Sequence, residues 1–448
     1  MVRAVRKKEL TAEERLAAAL VPEEEQPYKV PGNWCWVRLG SVIEASKEKA
    51  DIFEEGTRYV GLENIEKDTG VISCQMAESI KSTKTIFHEG DILYGKLRPY
   101  LNKHGIVDFD GVCSTDILAF NTKGTSINRY VDFYLHLPNF IGSMVANSKG
   151  INLPRVSEKV VLSYPLPLAP LSEQQRLVDI ISSLFADLDE AKEKLTAVVE
   201  GFAQRKAAIL HQAFKGELTA KWREENGLLL EDWEETTLEA TSYKIGDGLH
   251  GTPNYDKEGE YFFVNGNNLF DDHIEIKDDT KRLNYEEYEK YKIELSKGNT
   301  VFLSINGTLG RTAFYNGEKI VLGKSACYVN TLPKLDKFFL KYFFNTLEFI
   351  NYANEKATGS TIKNLGLKAI RDKGINVPSI DEQREIVRIL DDLFEQEQQA
   401  QSAVETVLAD IDTLKKSILA RAFRGELATN DPGEESAVEM LKEVMKKG

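Results

Sequence analysis

A short stretch in the first half of the chain combines basic, aromatic and amide side chains that could contact nucleic acid. Between residues 81 and 103 five Lys and Arg residues outnumber Glu89 and Asp91 by three, in a chain with 57 Lys and Arg against 71 Asp and Glu. Basic groups beside an aromatic ring suit phosphate binding and base-edge contact, although a solvated surface loop would have the same composition. The candidates are Lys81, Lys84, Lys96, Arg98, Tyr100, Asn102 and Lys103.

A second group of candidates lies in the other half of the chain, mainly in residues 304–311. Hydroxyls, amides and a single arginine can also read base edges, and asparagine can pair bidentately with adenine. For the asparagines a role in forming turns is an equally good interpretation. The candidates are Asn64 of the first half, and Asn265, Asn267, Asn268, Ser304, Asn306, Thr308, Arg311 and Lys324 of the second.

An internal repeat positions these two groups. Residues 171–219 begin Leu-Ser-Glu-Gln-Gln and end near Ala-Phe-Lys-Gly-Glu-Leu, and residues 380–428 begin Ile-Asp-Glu-Gln-Arg and end near Ala-Phe-Arg-Gly-Glu-Leu. The copies align without a gap, because each residue of the second copy lies 209 positions after its match in the first. Weaker matches precede each copy, such as Trp34 with Trp233 and Gly150 with Gly359. Each half is therefore a variable globular domain followed by a rod of constant length.

Both rods repeat apolar residues at alternating steps of four and three, which is the 3.5-residue period of a coiled coil. Only Arg205 and Glu397 interrupt this seam strongly, and they would lie close together if the two helices ran antiparallel; each could instead reach water alone. A helix packed on its own domain is the alternative to pairing. The residues predicted to pair the helices are Leu177, Ile181, Leu184, Leu188, Leu195, Val198, Phe202, Ile386, Leu390, Leu393, Val404, Val407, Ile411, Leu414 and Ile418.

Local signals also predict where the long helices begin and end. Ser172 with Gln175 has the spacing of a capping box, and Asp381 is a suitable N-cap. Gly216 and Gly425 stand where a left-handed residue ends a helix.

The fold class predicted from these patterns is α+β, with two pseudo-repeated mixed α/β domains, each followed by a long helix, and the two helices paired as an antiparallel coiled coil. Short strand-like runs and one helical stretch recur in each half, for example 91–94 with 130–148 and 300–304 with 337–354. The predicted segments are a charged N-terminal extension 1–27, a first domain 28–166, a central helix 167–219, a second domain 220–376, a distal helix 377–428 and a charged C-terminal tail 429–448.

The signals for catalysis and cofactors are weak. The four cysteines lack C-x-x-C spacing, so we expect no metal site and a reducing cytoplasm. Residues 246–251 match G-x-G-x-x-G without the surrounding βαβ unit. A nuclease carboxylate cluster stays open, because Asp and Glu are plentiful. No window is apolar enough to span a bilayer.

With the repeat in view, the chain resembles the DNA specificity subunit of type I restriction–modification systems over nearly residues 28–428. The Glu-Gln helix starts and Gly-Glu-Leu ends carry this resemblance, together with Pro31 to Gly40 and the run from Gly90 to Lys103. Residues 304–311 depart from it, since they replace the Lys, Arg and Tyr set of the first half.

The resemblance implies a non-catalytic protein whose two target recognition domains each read half of a bipartite, asymmetric site in double-stranded DNA. Its helices would set the spacer and dock two methylation subunits, with restriction (translocase/endonuclease) subunits joining them. S-adenosylmethionine, ATP and Mg would bind the partner subunits, and this chain would hold no cofactor. The alternatives are a self-contained DNA methyltransferase or nuclease, and a coiled-coil scaffold without a DNA role.

Overall fold

The computed structural model describes residues 11–76, 82–124, 126–270, 272–359 and 361–447. Lys81, one of the predicted contact residues, lies outside these described residues. The chain divides into two compact units: unit 1 comprises Met1–Leu195 with Thr406–Gly448, and unit 2 comprises Thr196–Glu405. Each unit therefore contains one globular domain and half of each long helix.

The helices come in chain order, with the two longest following the two globular parts. They are α1 (Ala12–Ala19), α2 (Leu39–Val42), α3 (Asn128–Leu135), α4 (Pro138–Ala146), α5 (Glu158–Ser163), α6 (Leu171–Phe214), α7 (Ala220–Glu225), α8 (Tyr285–Tyr291), α9 (Lys337–Phe344), α10 (Leu347–Lys356), α11 (Leu367–Arg371), α12 (Ile380–Ala422) and α13 (Ala437–Lys447).

The strands are short. Those of unit 1 are β1 (Cys35–Arg38), β2 (Ile43–Ala45), β3 (Lys49–Ala50), β4 (Arg58–Val60), β5 (Gln75–Met76), β6 (Lys84–Phe87), β7 (Ile92–Gly95), β8 (His104–Ile106), β9 (Gly111–Cys113), β10 (Ile117–Thr122) and β11 (Pro165–Leu168). Those of unit 2 are β12 (Glu234–Thr237), β13 (Ser242–Asp247), β14 (Tyr261–Val264), β15 (Leu269–Phe270), β16 (His273–Ile274), β17 (Arg282–Leu283), β18 (Thr300–Ser304), β19 (Thr312–Phe314), β20 (Ile320–Leu322), β21 (Ala326–Thr331) and β22 (Gly374–Val377).

The two units repeat one sheet topology. In unit 1 an antiparallel sheet has the strand order β2-β10-β7-β8, and in unit 2 the matching order is β13-β21-β18-β19. A second sheet in each unit contains one parallel pair, β4 with β9 and β14 with β20. A two-stranded ribbon, β1 with β11 or β12 with β22, ties the start of each domain to the residues before its long helix.

The ends of the long helices are embedded in the cores of these units. Leu177 and Ile181 of α6, with Phe423 immediately after α12, are buried beside the aromatic residues of α3 and α4. In unit 2, Leu210 at the other end of α6 and Leu390 near the start of α12 are buried with the phenylalanines of α9 and α10. Removing a buried aromatic ring such as that of Phe423 would cost about 3–5 kcal/mol. The helices thus depend on both units for stability.

The two long helices run antiparallel where they pair. In unit 1 the Lys192 Nζ lies 2.9 Å from Asp412, and the Lys415 Nζ lies 2.5 Å from Asp189, so residue numbers rise along α6 as they fall along α12. In unit 2 the Arg205 Nε lies 3.2 Å from Glu397 Oε1. The predicted antiparallel orientation and the predicted approach of these two seam-breaking residues are confirmed.

The pairing seam differs from the predicted one in one of its two columns. The column Ile181, Leu188, Leu195 and Phe202 is buried or half-buried as predicted. Four predicted pairing residues, Leu184, Val198, Val407 and Leu414, are instead 37–49% exposed. The half-buried positions lie one residue later, at Phe185, Lys192, Val199, Gln401, Leu408 and Lys415. A helix of 3.6 residues per turn drifts against a 3.5-residue repeat, and long lysine stems can cover apolar surface while their charge stays in water.

The rest of the predicted pairing set is buried or half-buried. Some of these residues pack in the cores of the units, and others lie along the helix pair. Leu177, Ile386 and Leu390 belong to the cores of the two units. Of the other predicted pairing residues on α12, Ile411 is buried, and Leu393, Val404 and Ile418 are half-buried. The alternative in which each helix packs on a globular core therefore holds at the helix ends.

The predicted helix ends are confirmed, whereas the predicted starts fall too late. Gly216 and Gly425 have φ of 74° and 72°, and the residue after each donates its N–H to a carbonyl five residues earlier. This is the Schellman pattern that satisfies the last carbonyls of a helix. Ser172 lies inside α6, so it forms no capping box with Gln175, and Asp381 likewise follows the first residue of α12.

The repeated Glu-Gln pair at each helix start joins three segments of its unit. In unit 1 the buried Glu173 carboxylate accepts hydrogen bonds from Trp34 Nε1 (2.7 Å), Thr429 Oγ1 (3.0 Å) and Asn430 Nδ2 (2.8 Å). We call this set the first joint. The C-terminal segment therefore completes unit 1, and α13 packs beside α1.

The second joint has the same carboxylate and indole but a different third donor. Glu382 accepts from Trp233 Nε1 (3.1 Å), Thr219 Oγ1 (2.7 Å) and the guanidinium of Arg223 (2.5 Å). Here the segment that follows α6 plays the part that the C-terminal segment plays in unit 1. The pattern explains why the Glu-Gln motif occurs twice.

Candidate nucleic-acid interface

Four loops of unit 1, at the ends of strands from its two larger sheets, are joined by hydrogen bonds. They follow β4, β7 and β9 and precede α5, and we call them loop cluster 1: residues 61–64, 96–103, 114–116 and 149–155. The Lys96 N–H donates to the Asp116 carbonyl (2.8 Å), and the Ser114 N–H donates to the Val60 carbonyl (3.0 Å). These backbone bonds hold the predicted basic turn against its neighbours.

Loop cluster 2 repeats this arrangement in unit 2, with residues 265–268, 305–311, 323–325, 358–359 and 361–364. The Ile305 N–H donates to the Ser325 carbonyl (3.0 Å), and the Gly323 N–H donates to the Val264 carbonyl (2.7 Å). The first of these bonds lies 209 positions after its counterpart in cluster 1. The two predicted groups of contact residues therefore occupy equivalent loops on one backbone frame.

Several predicted contact residues of unit 1 have polar groups that form hydrogen bonds within the fold. Asn102 is buried, and its amide donates to Asp68 Oδ1 (3.1 Å). The Lys103 Nζ donates to the Leu62 carbonyl (2.6 Å). The Asn64 amide accepts from the Gly61 N–H (2.9 Å), the turn-forming alternative. These hydrogen bonds give the three side chains a role in stabilising the loops.

Two predicted contact residues of unit 2 are likewise hydrogen-bonded within the fold. Ser304 is buried, and its hydroxyl donates to the Thr308 carbonyl (2.7 Å) while it accepts from the Arg311 N–H (2.9 Å). Asn268 is buried, and its amide donates to the Glu275 carbonyl (3.0 Å). Asn265 is half-buried, and its Oδ1 accepts from the Ser325 hydroxyl (3.0 Å), so it too mainly stabilises the loops.

The remaining candidates present polar groups on the surface of the two clusters. Arg98 and Tyr100 are exposed in cluster 1, beside the half-buried Lys96. Lys84 is half-buried, and its ammonium is hydrogen-bonded to Ser82 (2.6 Å). The exposed set in cluster 2 is Asn267, Thr308, Arg311 and Lys324, and Asn306 is half-buried. A contact surface built from these residues carries different side chains in the two units.

The turn that presents Arg98 has a strained backbone. Arg98 and Asn102 have φ of 52° and 42°, a left-handed conformation that costs a residue with a Cβ roughly 1–3 kcal/mol. Such strain persists only where the surroundings determine it. Asn102 is held by Asp68, and the Arg98 N–H donates to the Pro154 carbonyl (2.7 Å). The strain keeps the Arg98 guanidinium on the outer side of the turn.

A buried polar cluster supports this turn from behind. His104 Nδ1 lies 2.8 Å from Asp132 Oδ1, and Arg129 lies 3.1 Å from the other oxygen of Asp132. Asn102 Nδ2 lies 3.4 Å from His136 Nδ1. Burial opposes ionisation of Asp132, yet the hydrogen bond from His104 and the nearby positive charges lower the pKa of its carboxyl. Burial, with the charge of His104, lowers the pKa of His136 to about 3.

Three residues of this cluster could hold a metal ion, which the sequence did not suggest. His104, Asp132 and His136 each bring one ligand atom within 4.8 Å of the others. However, the His104 and Asp132 atoms already share a hydrogen bond, and the two imidazole rings pack with centroids 4.2 Å apart. These contacts favour a supporting role, so we call this cluster the first brace. Histidine spacing could not reveal it, because β8 and α3 are far apart in the chain.

Unit 2 supports its loops with different chemistry at equivalent positions. Asp272, which has the positive φ of Asp68, accepts from Thr312 Oγ1 (3.0 Å) and forms an ion pair with Lys341 (2.7 Å). We call Asp272, Thr312 and Lys341 the second brace. Thr312 and Lys341 stand 208 and 209 positions after His104 and Asp132. The brace is thus repeated without histidine.

The repeated loop clusters on two copies of one domain define a protein with two separate recognition surfaces. A family model described as "Type I restriction modification DNA specificity domain" matches residues 31–200 and 232–406. The chain belongs to this family.

Named relatives agree with this assignment. The specificity subunit of the type I restriction enzyme EcoDI of Escherichia coli is 34% identical over 202 residues, which are 44% of this chain and 45% of that subunit. The chain thus aligns with less than half the length of that relative. The EcoBI specificity subunit of the same species is 25% identical over 334 residues, 70% of each protein.

Solved structures share the fold. A chain in a structure of a type I R-M system has a TM-score of 0.71 at 22% identity, covering 90% of this chain and 100% of that one. The HsdS subunit from Thermoanaerobacter tengcongensis has a TM-score of 0.61 at 22% identity, with the same coverage. No helix among the described residues combines the length and the apolar character that crossing a membrane requires.

Proposed function

We propose that this chain selects the DNA sequence on which a type I restriction–modification complex acts. Each loop cluster reads one half of a bipartite, asymmetric duplex site. One observation carries the proposal: two equivalent clusters share a backbone frame and differ in their exposed side chains. Two loop clusters with different exposed side chains suit two different half-sites. A catalytic centre repeated in both units would instead need the same reactive side chains in both clusters.

The exposed residues divide into two roles by their chemistry. Lys96 and Lys324 are point charges that suit phosphate contact, which positions a protein on the duplex. Arg98 and Arg311 can donate bidentately to a guanine edge in the major groove. Tyr100, Thr308 and Asn267 add hydroxyl and amide groups. The net acidity of the chain is compatible with this, because only the surface beside DNA needs to be basic.

The partners follow from the proposed role. Two methylation subunits dock on the long helices, where Leu184 and Leu414 expose apolar surface in unit 1, and restriction subunits join them in the cytoplasm. The methylation and restriction subunits supply S-adenosylmethionine, ATP and Mg chemistry, and this chain contributes recognition alone. The recognition domains span residues 28–166 and 220–376, the helices span 167–219 and 377–428, and the extensions span 1–27 and 429–448.

Reconstitution with the methylation subunits tests the proposal. We expect methylated adenines to map to one bipartite sequence when the chain is present, and to no defined sequence without it. The purified chain alone should transfer no label from S-adenosylmethionine to DNA. Transfer by the chain alone would favour a self-contained methyltransferase, DNA cutting by it alone would favour a nuclease, and an unchanged methylation map without the chain would favour a scaffold.

Two substitutions separate the proposed roles. Arg98→Ala should relax one base position of the first half-site, at a cost of about 1–3 kcal/mol in discrimination. Lys96→Ala should weaken binding to all sequences and reduce the salt slope by about one. Lys103→Ala serves as the contrast, because its ammonium is hydrogen-bonded inside the protein: it should leave the salt slope unchanged.

A further inference from the structure

The fourth loop of each cluster contains no predicted contact residue, yet it is built into the contact surface. In unit 1 Lys149 and Arg155 exchange two backbone hydrogen bonds of 2.9 and 2.8 Å, which close residues 149–155 into a tight loop. The Arg98 N–H donates to the Pro154 carbonyl (2.7 Å), and the Val156 N–H donates to the Lys96 carbonyl (3.1 Å). We call residues 149–155 the first tip loop.

Residues 358–359 and 361–364 form the second tip loop, with the same bonds 209 positions later. Thr358 and Asn364 exchange backbone bonds of 2.9 and 2.8 Å. The Gly307 N–H donates to the Lys363 carbonyl (2.9 Å), and the Leu365 N–H donates to the Ile305 carbonyl (2.8 Å). Both tip loops are therefore fixed to the turn that carries the proposed contact residues.

A glycine in each tip loop makes this geometry possible. Gly150 and Gly359 have φ of 107° and 96°, a region that residues with a Cβ rarely enter. A Cβ at Gly359 would also lie 2.3 Å from the Ile362 carbonyl oxygen. The match between these glycines in the sequence thus marks a backbone requirement and not a polar contact.

The tip loops expose aliphatic side chains. Ile151 is fully exposed, Leu153 is 46% exposed and Ile362 is 61% exposed. Leu153 and Ile362 occupy equivalent positions, although their neighbours Pro154 and Lys363 differ. An exposed aliphatic group at one fixed place beside two reading turns suits an apolar ligand. In duplex DNA the apolar group that a side chain meets in the major groove is the C5-methyl of thymine.

We propose that the tip loops form the apolar part of each reading surface, with Leu153 and Ile362 contacting a thymine methyl group in the first and second half-site. Ile151 extends this surface in unit 1. The inference rests on the proposed function, because it assigns further specificity-determining residues to the same two loop clusters. It also explains why each tip loop is tied by backbone bonds to an arginine-bearing or polar turn.

Thymine replacement tests this proposal. The half-sites are first mapped from methylated adenines with the wild-type complex, and each contains at least one thymine, opposite the methylated adenine. Duplexes are then prepared in which deoxyuridine replaces thymine in one half-site. Wild-type binding should fall about fourfold, which corresponds to ~0.8 kcal/mol for one buried apolar carbon.

The matched variants are Leu153→Ala and Ile362→Ala. Leu153→Ala should weaken binding similarly, and it should abolish the response to deoxyuridine in the first half-site only; Ile362→Ala should do so in the second only. Ile52→Ala is the control, because Ile52 is an almost fully exposed aliphatic residue of unit 1 outside loop cluster 1. It should bind as the wild type does.

The failure of this inference is distinct from that of the proposed function. If the wild-type complex shows no defined site, the proposed function is wrong. If it shows one, but both variants keep the wild-type response to deoxyuridine, the tip loops do not read thymine. A loss of binding with an unchanged deoxyuridine response would also overturn the thymine contact.

Discussion

The two joints use one carboxylate and one indole, but they differ in the charge of the third donor. In the second joint the buried Glu382 faces the Arg223 guanidinium, and in the first joint Glu173 receives the neutral amide of Asn430. Both carboxylates are nearly inaccessible. The buried carboxylate acceptor is therefore repeated in both units, whereas the third donor comes from a different residue in each unit.

The braces behind the loop clusters show the same division. Asp68 and Asp272 share a left-handed backbone. Asp68 accepts a hydrogen bond from Asn102, which in turn lies beside two histidines, whereas Asp272 forms an ion pair with Lys341. The first brace therefore contains His136, whose pKa burial lowers to about 3, whereas the second brace, Asp272, Thr312 and Lys341, is built without histidine. The units should respond differently to the same perturbations.

The largest expected difference lies between the two joints. Glu382→Gln would leave the buried Arg223 without its carboxylate, and we expect it to reduce the free energy of unfolding by about 3–5 kcal/mol. Glu173→Gln should cost less, about 1–3 kcal/mol, because the amide has a single acceptor oxygen in place of the two carboxylate oxygens that receive three donors, and no charged partner is left unpaired. Urea unfolding of both variants measures this, with Glu193→Gln on the exposed face of α6 as the control. Equal losses for the two joints would contradict the comparison.

The second brace should be less costly to break than the charged joint. Lys341→Met would remove the ammonium beside Asp272, and we expect a loss of about 1–3 kcal/mol, because the partly buried carboxylate keeps only its bond from Thr312. Hydrogen exchange in β19 and α9 should rise while exchange in α3 stays unchanged. A rise in α3 alone would show that the braces do not act within their own units.

Acidification should weaken the first brace. The pKa of His136 is lowered to about 3 in the folded protein, from an ordinary value near 6.5, so the unfolded chain binds the proton more strongly. Stability should therefore fall as pH drops from 6.5 towards 3, by at most ~1.4 kcal/mol per pH unit. His136→Asn, which introduces the residue found at the equivalent position 345, should flatten this dependence in urea unfolding. An unchanged slope would show that His136 is not responsible.

The smallest expected effect concerns the helix pair. Arg205 and Glu397 are 43% and 29% exposed, so their interaction should contribute only about 0–1 kcal/mol. A double-mutant cycle with alanine at both positions measures it. Cysteines at the same two positions should be joined by a bifunctional thiol reagent about as long as the two side chains they replace, since those side chains meet at their tips. Failure to cross-link would contradict the observed antiparallel register in unit 2.

Much of the fold can be predicted from local patterns. The strand at 300–304 was expected at its observed bounds, and the left-handed ends of both long helices follow from Gly216 and Gly425. The predicted helical stretches are each broken into two helices, where Pro138 begins α4 and Thr346 caps α10. Whether a segment forms a helix or a strand depends largely on residues that are close in sequence, and so it can be predicted from local patterns.

Local patterns do not show which polar side chains face water. Asn64, Asn267 and Asn268 look alike in the sequence, but only Asn267 is exposed, because the others complete turns with backbone groups that the fold brings to them. The C-terminal tail gave no signal beyond its charge, yet Thr429 and Asn430 close unit 1.

The twofold repeat and the constant length of the two long helices can be read from the chain, because they depend on residue spacing, and the positions of Arg205 and Glu397 favoured an antiparallel pair. The donors to Glu173 and Glu382 depend on tertiary packing. So do the contact between the two histidines behind Arg98 and the position of a tip loop beside each reading turn. Those contacts join segments that are tens to hundreds of residues apart, and no periodicity along the chain encodes the direction in which a side chain points once such segments pack.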